Sequence, residues 1–273
     1  MKSSRTISVR GVEIMLLHDI NPSIKALTVV ICVLILSIFF DPLTPLLTLI
    51  ITASTTLILG RVSIKKWLLL FSPFLFMAFI YIWSAVLFSR TDQGETILWT
   101  WGILTLTEEG FQRALSLGLR VLSFTSLSLL FILTTKPTEF LLSLMQQCRL
   151  SPKLAYGIMA GYRFLPLIKE EFEIIRSAHR IRGVGKARSF SEKLAELKRY
   201  AVPLLAGAIR KAERTAMAME SKGFTGDKNR QFYHKITVTW KDLAFSVIMV
   251  AAVLLSAYTS WKLGYLQLYN GEL

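Results

Sequence analysis

Five stretches without a charged residue, 26–40, 42–60, 67–89, 121–135 and 243–261, dominate this chain of 273 residues. A membrane-crossing helix takes about 20 mostly apolar residues. Runs of this kind have two outlets, a deeply buried core or a lipid bilayer. The first and fourth are 15 residues each. Lys25 and Arg120 extend them, because long cationic side chains can carry their charge to the interface. Lys2, Arg5, Arg10 and Glu13 precede the first run, which is too long for a cleavable signal core. Residues 1–14 show no apolar period, so Met1 and Met15 stay open as alternative starts. Asn21-Pro22 is a helix start, since proline fits the first helical turn.

Charge separates the bilayer from the core. Lysine and arginine number 32 against 18 aspartate and glutamate, a net charge of +14, while 53% of residues are apolar. Intrinsic disorder needs low hydrophobicity, and a nucleic-acid binder would carry its charge on a mostly polar surface. Two isolated cysteines exclude a disulfide framework and a multi-thiolate zinc site. Four basic residues lie in 1–25, three between the second and third runs, and 21 in 136–242, so 28 of 32 fall on one side of a five-span chain. The positive-inside rule puts that side in the cytoplasm. Residues 92–109 and the carboxyl terminus then face outside. The expected fold is all-α: a polytopic membrane protein with about five transmembrane helices and long cytoplasmic helices. Its parts are 1–135 (tail and four spans), 136–242 (cytoplasmic segment) and 243–273 (final span and tail).

The cytoplasmic segment carries the information. Thr134-Thr135-Lys136-Pro137 opens a short amphipathic helix ending near Cys148-Arg149, and Ser151-Pro152 opens the next. There Gly157 and Gly161 form a G-x-x-x-G pair, which permits close helix crossing. Arg163 interrupts its apolar run, and Pro166 kinks or restarts it. Ile168, Phe172 and Ile175 give an amphipathic face ending at Arg182-Gly183. A second long helix starts at Ser191-Glu192, is bent or restarted by Pro203, and ends at Lys222-Gly223. Ala208, Ala212 and Ala216 line it as a small-residue stripe. A cation followed by glycine is an ordinary helix end. The sharper alternative is a basic tip able to enter an acidic groove of a soluble partner. The residues alone leave both readings open.

Leu106-Thr107-Glu108-Glu109-Gly110, Gly118-Leu119-Arg120, Thr134-Thr135-Lys136-Pro137-Thr138-Glu139, Tyr162-Arg163-Phe164-Leu165-Pro166, Ala178-His179-Arg180-Ile181-Arg182-Gly183 and Ala218-Met219-Glu220-Ser221-Lys222-Gly223-Phe224 stand in that order. Together they resemble the transmembrane T component of energy-coupling factor transporters, vitamin and metal importers of the ABC class. The resemblance implies a non-catalytic scaffold in a bacterial plasma membrane. It implies two ABC ATPase subunits, or one fused double ATPase, as partners, and a small substrate-binding membrane subunit as another. Two Ala-Arg-Gly-type motifs would dock on the ATPases. Ile181-Arg182-Gly183 matches the first with isoleucine for alanine. Ser221-Lys222-Gly223 matches the second with two departures, and lysine loses the bidentate fork. ATP and magnesium would bind only in the partners, with no cofactor in this chain. The run 16–22, Leu-Leu-His-Asp-Ile-Asn-Pro, looks most like the subunit of thiamine or hydroxymethylpyrimidine importers.

Other patterns carry less. Gly183-Val184-Gly185-Lys186-Ala187 lacks the spacer and the hydroxyl of a phosphate loop. His18, His179 and His234 are scattered, so no metal site is expected. No carboxylate lies inside the five runs, which argues against a proton-coupled carrier. Arg120 and Arg163 border apolar segments, either as interfacial groups or as structural intramembrane charges. The alternatives are a conventional ABC permease lining its own pathway and, from another class, an intramembrane lipid enzyme.

Overall fold

The structure, a computed structural model, describes residues 8–9, 12–13, 17–87, 97–101, 104–183, 189–227 and 231–264. Eight helices run through them: α1 (Pro22–Ile38), α2 (Leu43–Ile58), α3 (Ile64–Leu87), α4 (Glu108–Thr134), α5 (Pro137–Gln147), α6 (Pro152–Ile181), α7 (Phe190–Ser221) and α8 (Trp240–Lys262). Two small antiparallel hairpins, β1 (Ser8–Val9) with β2 (Val12–Glu13) and β3 (Ile97–Trp101) with β4 (Leu104–Thr107), add to an all-α fold. Among the described residues, each of the five apolar runs lies mostly within a helix. Ile64–Ser84, Gly110–Thr134 and Trp240–Lys262 are long and apolar enough to cross a membrane, whereas α1 and α2 have 17 and 16 residues. At 1.5 Å per residue these two rise about 25 Å, short of the roughly 30 Å hydrocarbon core. The fourth run is part of a longer element than its apolar residues suggest. α4 begins at Glu108 and continues through Arg113 and Arg120.

The chain divides into two compact units. One holds Met1–Ser143 and Ile236–Leu273, the other Leu144–Lys235. In the first, α1 starts as its sequence dictates. Asn21 caps it, its side chain accepting from Ser23 N at 3.1 Å, with Pro22 in the first turn. α2 returns to the start of α1, where Leu17 N donates to Leu59 O and His18 Nε2 meets Gly60 O at 3.0 Å. One apolar core joins Leu17, Ile20, Cys32 and Leu36 to Leu127 and Leu130 of α4 and Phe245, Met249 and Val253 of α8. A second joins Trp67, Phe71 and Ala78 of α3 to Leu122 and Leu129 of α4. Gly118 lets α3 approach α4, since a Cβ there would run into Ile82. Leu69, Phe76, Met77 and Phe79 of α3 remain exposed, as suits side chains facing lipid.

Polar contacts fix these helices at both ends. Lys25 does not reach the interface; it is fully buried. Its Nζ donates to Leu17 O at 2.7 Å, to Thr134 O at 3.2 Å, and to the hydroxyls of Thr134 and Thr135 at 3.1 and 3.3 Å. The last carbonyls of α4 lack helical partners and attract a cation, which is why burial wins over reaching for solvent. Beside it Asp242 accepts from Asn21 N at 2.7 Å and from Thr239 N and Oγ1 at 2.6 and 2.7 Å, joining the starts of α1 and α8. At the far end of α1, Asp41 accepts from Thr44 N at 2.7 Å and Ser260 Oγ at 2.6 Å. There Arg120 donates to Phe39 O and lies 4.1 Å from the Phe40 ring centre, and Ser116 donates to Phe40 O. Between the ends, Thr44, Thr48, Thr52 and Thr56 form a buried stripe on α2. Thr52 bonds Ser126 of α4 at 2.8 Å, and Ser123 donates to Pro45 O at 2.6 Å.

These contacts give a stability test. Asp242→Ala leaves three donors without their acceptor and costs about 1–3 kcal/mol for each one left buried. Asp242→Asn keeps one carbonyl oxygen and falls between. Thermal unfolding in detergent should rank wild type above Asn above Ala.

Candidate functional site

The unit 144–235 is built on α6 and α7. α6 opens at Ser151-Pro152 and runs unbroken through Pro166. α7 opens two residues earlier than the sequence suggested, at Phe190 after the cap Ser189. There Glu192 accepts from the Ser189 N–H at 3.3 Å and completes a capping box. It runs unbroken through Pro203 to Ser221. A proline costs one intrahelical bond and strains the turn before it, but in helices of 30 and 32 residues the turns on both sides hold.

The helices meet near the middle of α7. A Cβ at Gly207 would stand 2.6 Å from Glu171 Oε1, and Glu171 pairs with Lys211. Tyr200 lies edge-on to Phe172, centroids 5.4 Å apart, and to His179 at 5.6 Å. Its hydroxyl donates to Glu196 at 2.9 Å, a bond that raises its pKa. The pair Gly157 and Gly161 is not at this contact: nothing lies within 4 Å of a Cβ built at either. Gly157, Gly161, Ala212 and Ala216 instead line an open groove of about 510 Å³ between α6 and α7, with Phe164 and Met219. Ala208, next to Gly207, is half-buried.

The two helix ends are built alike. Arg182 is the C-cap of α6 and Gly183 follows with φ +75°; Lys222 is the C-cap of α7 and Gly223 follows with φ +79°. The left-handed backbone is glycine's territory, and it lets the chain turn off both helices. Gly183 N donates to Arg180 O at 3.1 Å and Gly223 N to Glu220 O at 2.8 Å. Ile181 is 86% exposed, Arg182 and Lys222 are exposed, and Ser221 bonds back to Met217 O at 2.7 Å. The glycine-lysine turn at 185–186 lies outside the described residues.

The two arginines bordering apolar runs part company. Arg120 is buried on α4 in the first unit, its guanidinium on the Phe39 carbonyl and the Phe40 ring. Arg163 is exposed on α6, in the second unit. The sequence reading also missed the buried Lys25, Asp41 and Asp242 and the threonine stripe. Four threonines at spacing four inside a charge-free run were the available signal for the last.

The family model described as "CbiQ: Cobalt transport protein" matches residues 15–234. Similar proteins include the "Energy-coupling factor transporter transmembrane protein EcfT" of Limosilactobacillus fermentum, 30% identical over 247 residues, 87% of this chain and 91% of that protein. The protein of the same name from Brevibacillus brevis is 28% identical, covering 90% and 93%. That from Bacillus subtilis is 27% identical, covering 88% and 92%. The chain belongs to the family of energy-coupling factor transporter T components. It is a multi-pass cell-membrane transport protein, and its relatives are named as transporter membrane components, not enzymes.

The crossing and the groove respond differently to added bulk. Gly207→Val drives side-chain atoms toward Glu171 and should cost about 1–3 kcal/mol. Ala212→Leu fills open space and should stay within about 0.5 kcal/mol of wild type. Unfolding of the purified chain checks both.

Proposed function

We propose that this T component transmits ATP-driven motion from two ATPase subunits, or one fused double ATPase, to a small substrate-binding membrane subunit. The segment 136–242 faces the cytoplasm, as its basic residues favour. Ile181-Arg182-Gly183 and Ser221-Lys222-Gly223 are the two docking tips. The observation that carries the reading is the matched construction of the two ends: an exposed cation at the C-cap, then a left-handed glycine. A helix end of this kind is ordinary once. Two in one cytoplasmic unit of a T component fit two ATPase grooves. Arg182 offers a carboxylate a planar fork, while Lys222 offers a point charge. This chain binds no nucleotide; ATP and magnesium bind in the ATPases. Nucleotide there contacts the open and closed arrangements differently, as any ligand that drives a transition must. The substrate is a vitamin, thiamine or its hydroxymethylpyrimidine precursor, a reading supported by the run 16–22. Uptake of labelled thiamine by cells making the complete transporter, with cobalt ion as the control cargo, tests it.

The tips are tested by capture of the ATPases. Arg182→Ala should weaken their binding about 30-fold or more, because the partner's carboxylate is left unpaired. Lys222→Ala should weaken it less, and Lys222→Arg should be tolerated. The double variant should insert in the membrane and lose its ATPases. If the cations serve only as caps, each change costs about 0.3–1 kcal/mol of helix stability and capture is undiminished.

A further inference from the structure

The first turn of α1 holds both places where the chain passes between its two units. The chain leaves the first unit after Ser143 and re-enters it at Ile236. On the outgoing side, Lys25 Nζ holds Thr134 and Thr135, the junction of α4 and α5, and Ser23 Oγ lies 2.6 Å from Ser143 Oγ. On the returning side, Asn21 N donates to Asp242, which also caps α8. Three residues of one turn thus grip the end of α4, the outgoing half of α5 and the start of α8. The other unit laces its own two ends together, Gln146 Nε2 donating to His234 O at 2.7 Å.

The composition of the grip is its argument. The three N–H donors of one ammonium lie within reach of four acceptors, two of them the carbonyl and hydroxyl of Thr134 at the end of α4, and leave Lys25 no freedom to follow solvent. Lys25, Asn21, Thr134, Ser143 and Asp242 are all buried. Breaking any of these ties strands a polar group away from water, so the ties resist separation more than apolar contacts of the same size. A displacement of residues 144–235 that is carried along the chain into α5 or the start of α8 is therefore passed on to α1.

We propose that Asn21, Ser23 and Lys25 form the anchor that passes movement of residues 144–235 into α1, with Lys25 as the main positioning residue. The inference rests on the reading of 144–235 as the coupling segment. The test is hydrogen exchange on the complete transporter in nanodiscs, with and without a non-hydrolysable ATP analogue. In the parent, peptides from both 152–181 and 22–38 should change their exchange with nucleotide. Lys25→Met keeps the length and removes the donors. It should retain bound ATPases and the response in 152–181, and lose the response in 22–38. Ser23→Cys with Ser143→Cys places two sulfurs where the hydroxyls stood, near disulfide distance. Oxidising that pair in the Lys25→Met background should restore the response, which a merely structural role of Lys25 would not allow. Should Lys25→Met fail to assemble, Ser23→Ala with Ser143→Ala cuts the second tie alone and is read the same way. An unchanged response of 22–38 in these variants overturns the proposal. So does a parent in which 152–181 responds and 22–38 does not. Silence of both segments in the parent overturns the coupling reading itself.

Discussion

Burial of a few charged and hydroxylated side chains among apolar helices is the constraint on which the rest of the first unit depends. In lipid the tails are as apolar as leucine, so hydrophobicity does not choose which helix faces meet. Lys25 and Asp242 at one end of α1, and Asp41 and Arg120 at the other, make that choice. The two ends are about 25 Å apart along a 17-residue helix. Each group is costly to bury alone, and each is held by backbone and hydroxyl partners that belong to another helix. Register between α1, α4 and α8 is therefore set twice. Between α2 and α4, the Thr52–Ser126 hydroxyl pair and the bond from Ser123 to the Pro45 carbonyl add contacts worth about 0.6 kcal/mol each.

The second unit uses a different rule. Its helices are charged and largely exposed; they cross around Gly207, Glu171 and the Tyr200 ring, and the chain leaving α7 packs on the first turns of α6 through Phe224 on Tyr156. Small residues along the groove leave room beside the crossing instead of tightening it. Gly183 and Gly223 end the helices abruptly, leaving a cation at each end.

Much was legible in the sequence because it is local. Runs of apolar residues fixed which segments are helical and that they belong in a membrane, through the length of a bilayer. Asn21-Pro22, Ser151-Pro152, Arg182-Gly183 and Lys222-Gly223 fixed helix ends, because capping is decided within a turn. The ordered motifs marked the family. Tertiary structure alone decided what each polar residue touches. Lys25 reads as an interfacial lysine until the end of α4, more than a hundred residues away, supplies the carbonyl and hydroxyl of Thr134. Arg120 and Arg163 look equivalent in sequence, but only Arg120 has a backbone carbonyl and an aromatic face to receive it. Gly157 and Gly161 advertise a crossing that forms instead at Gly207. A glycine pair permits approach, whereas the partner's charged and aromatic side chains, brought together by the path of the whole chain, decide where approach occurs.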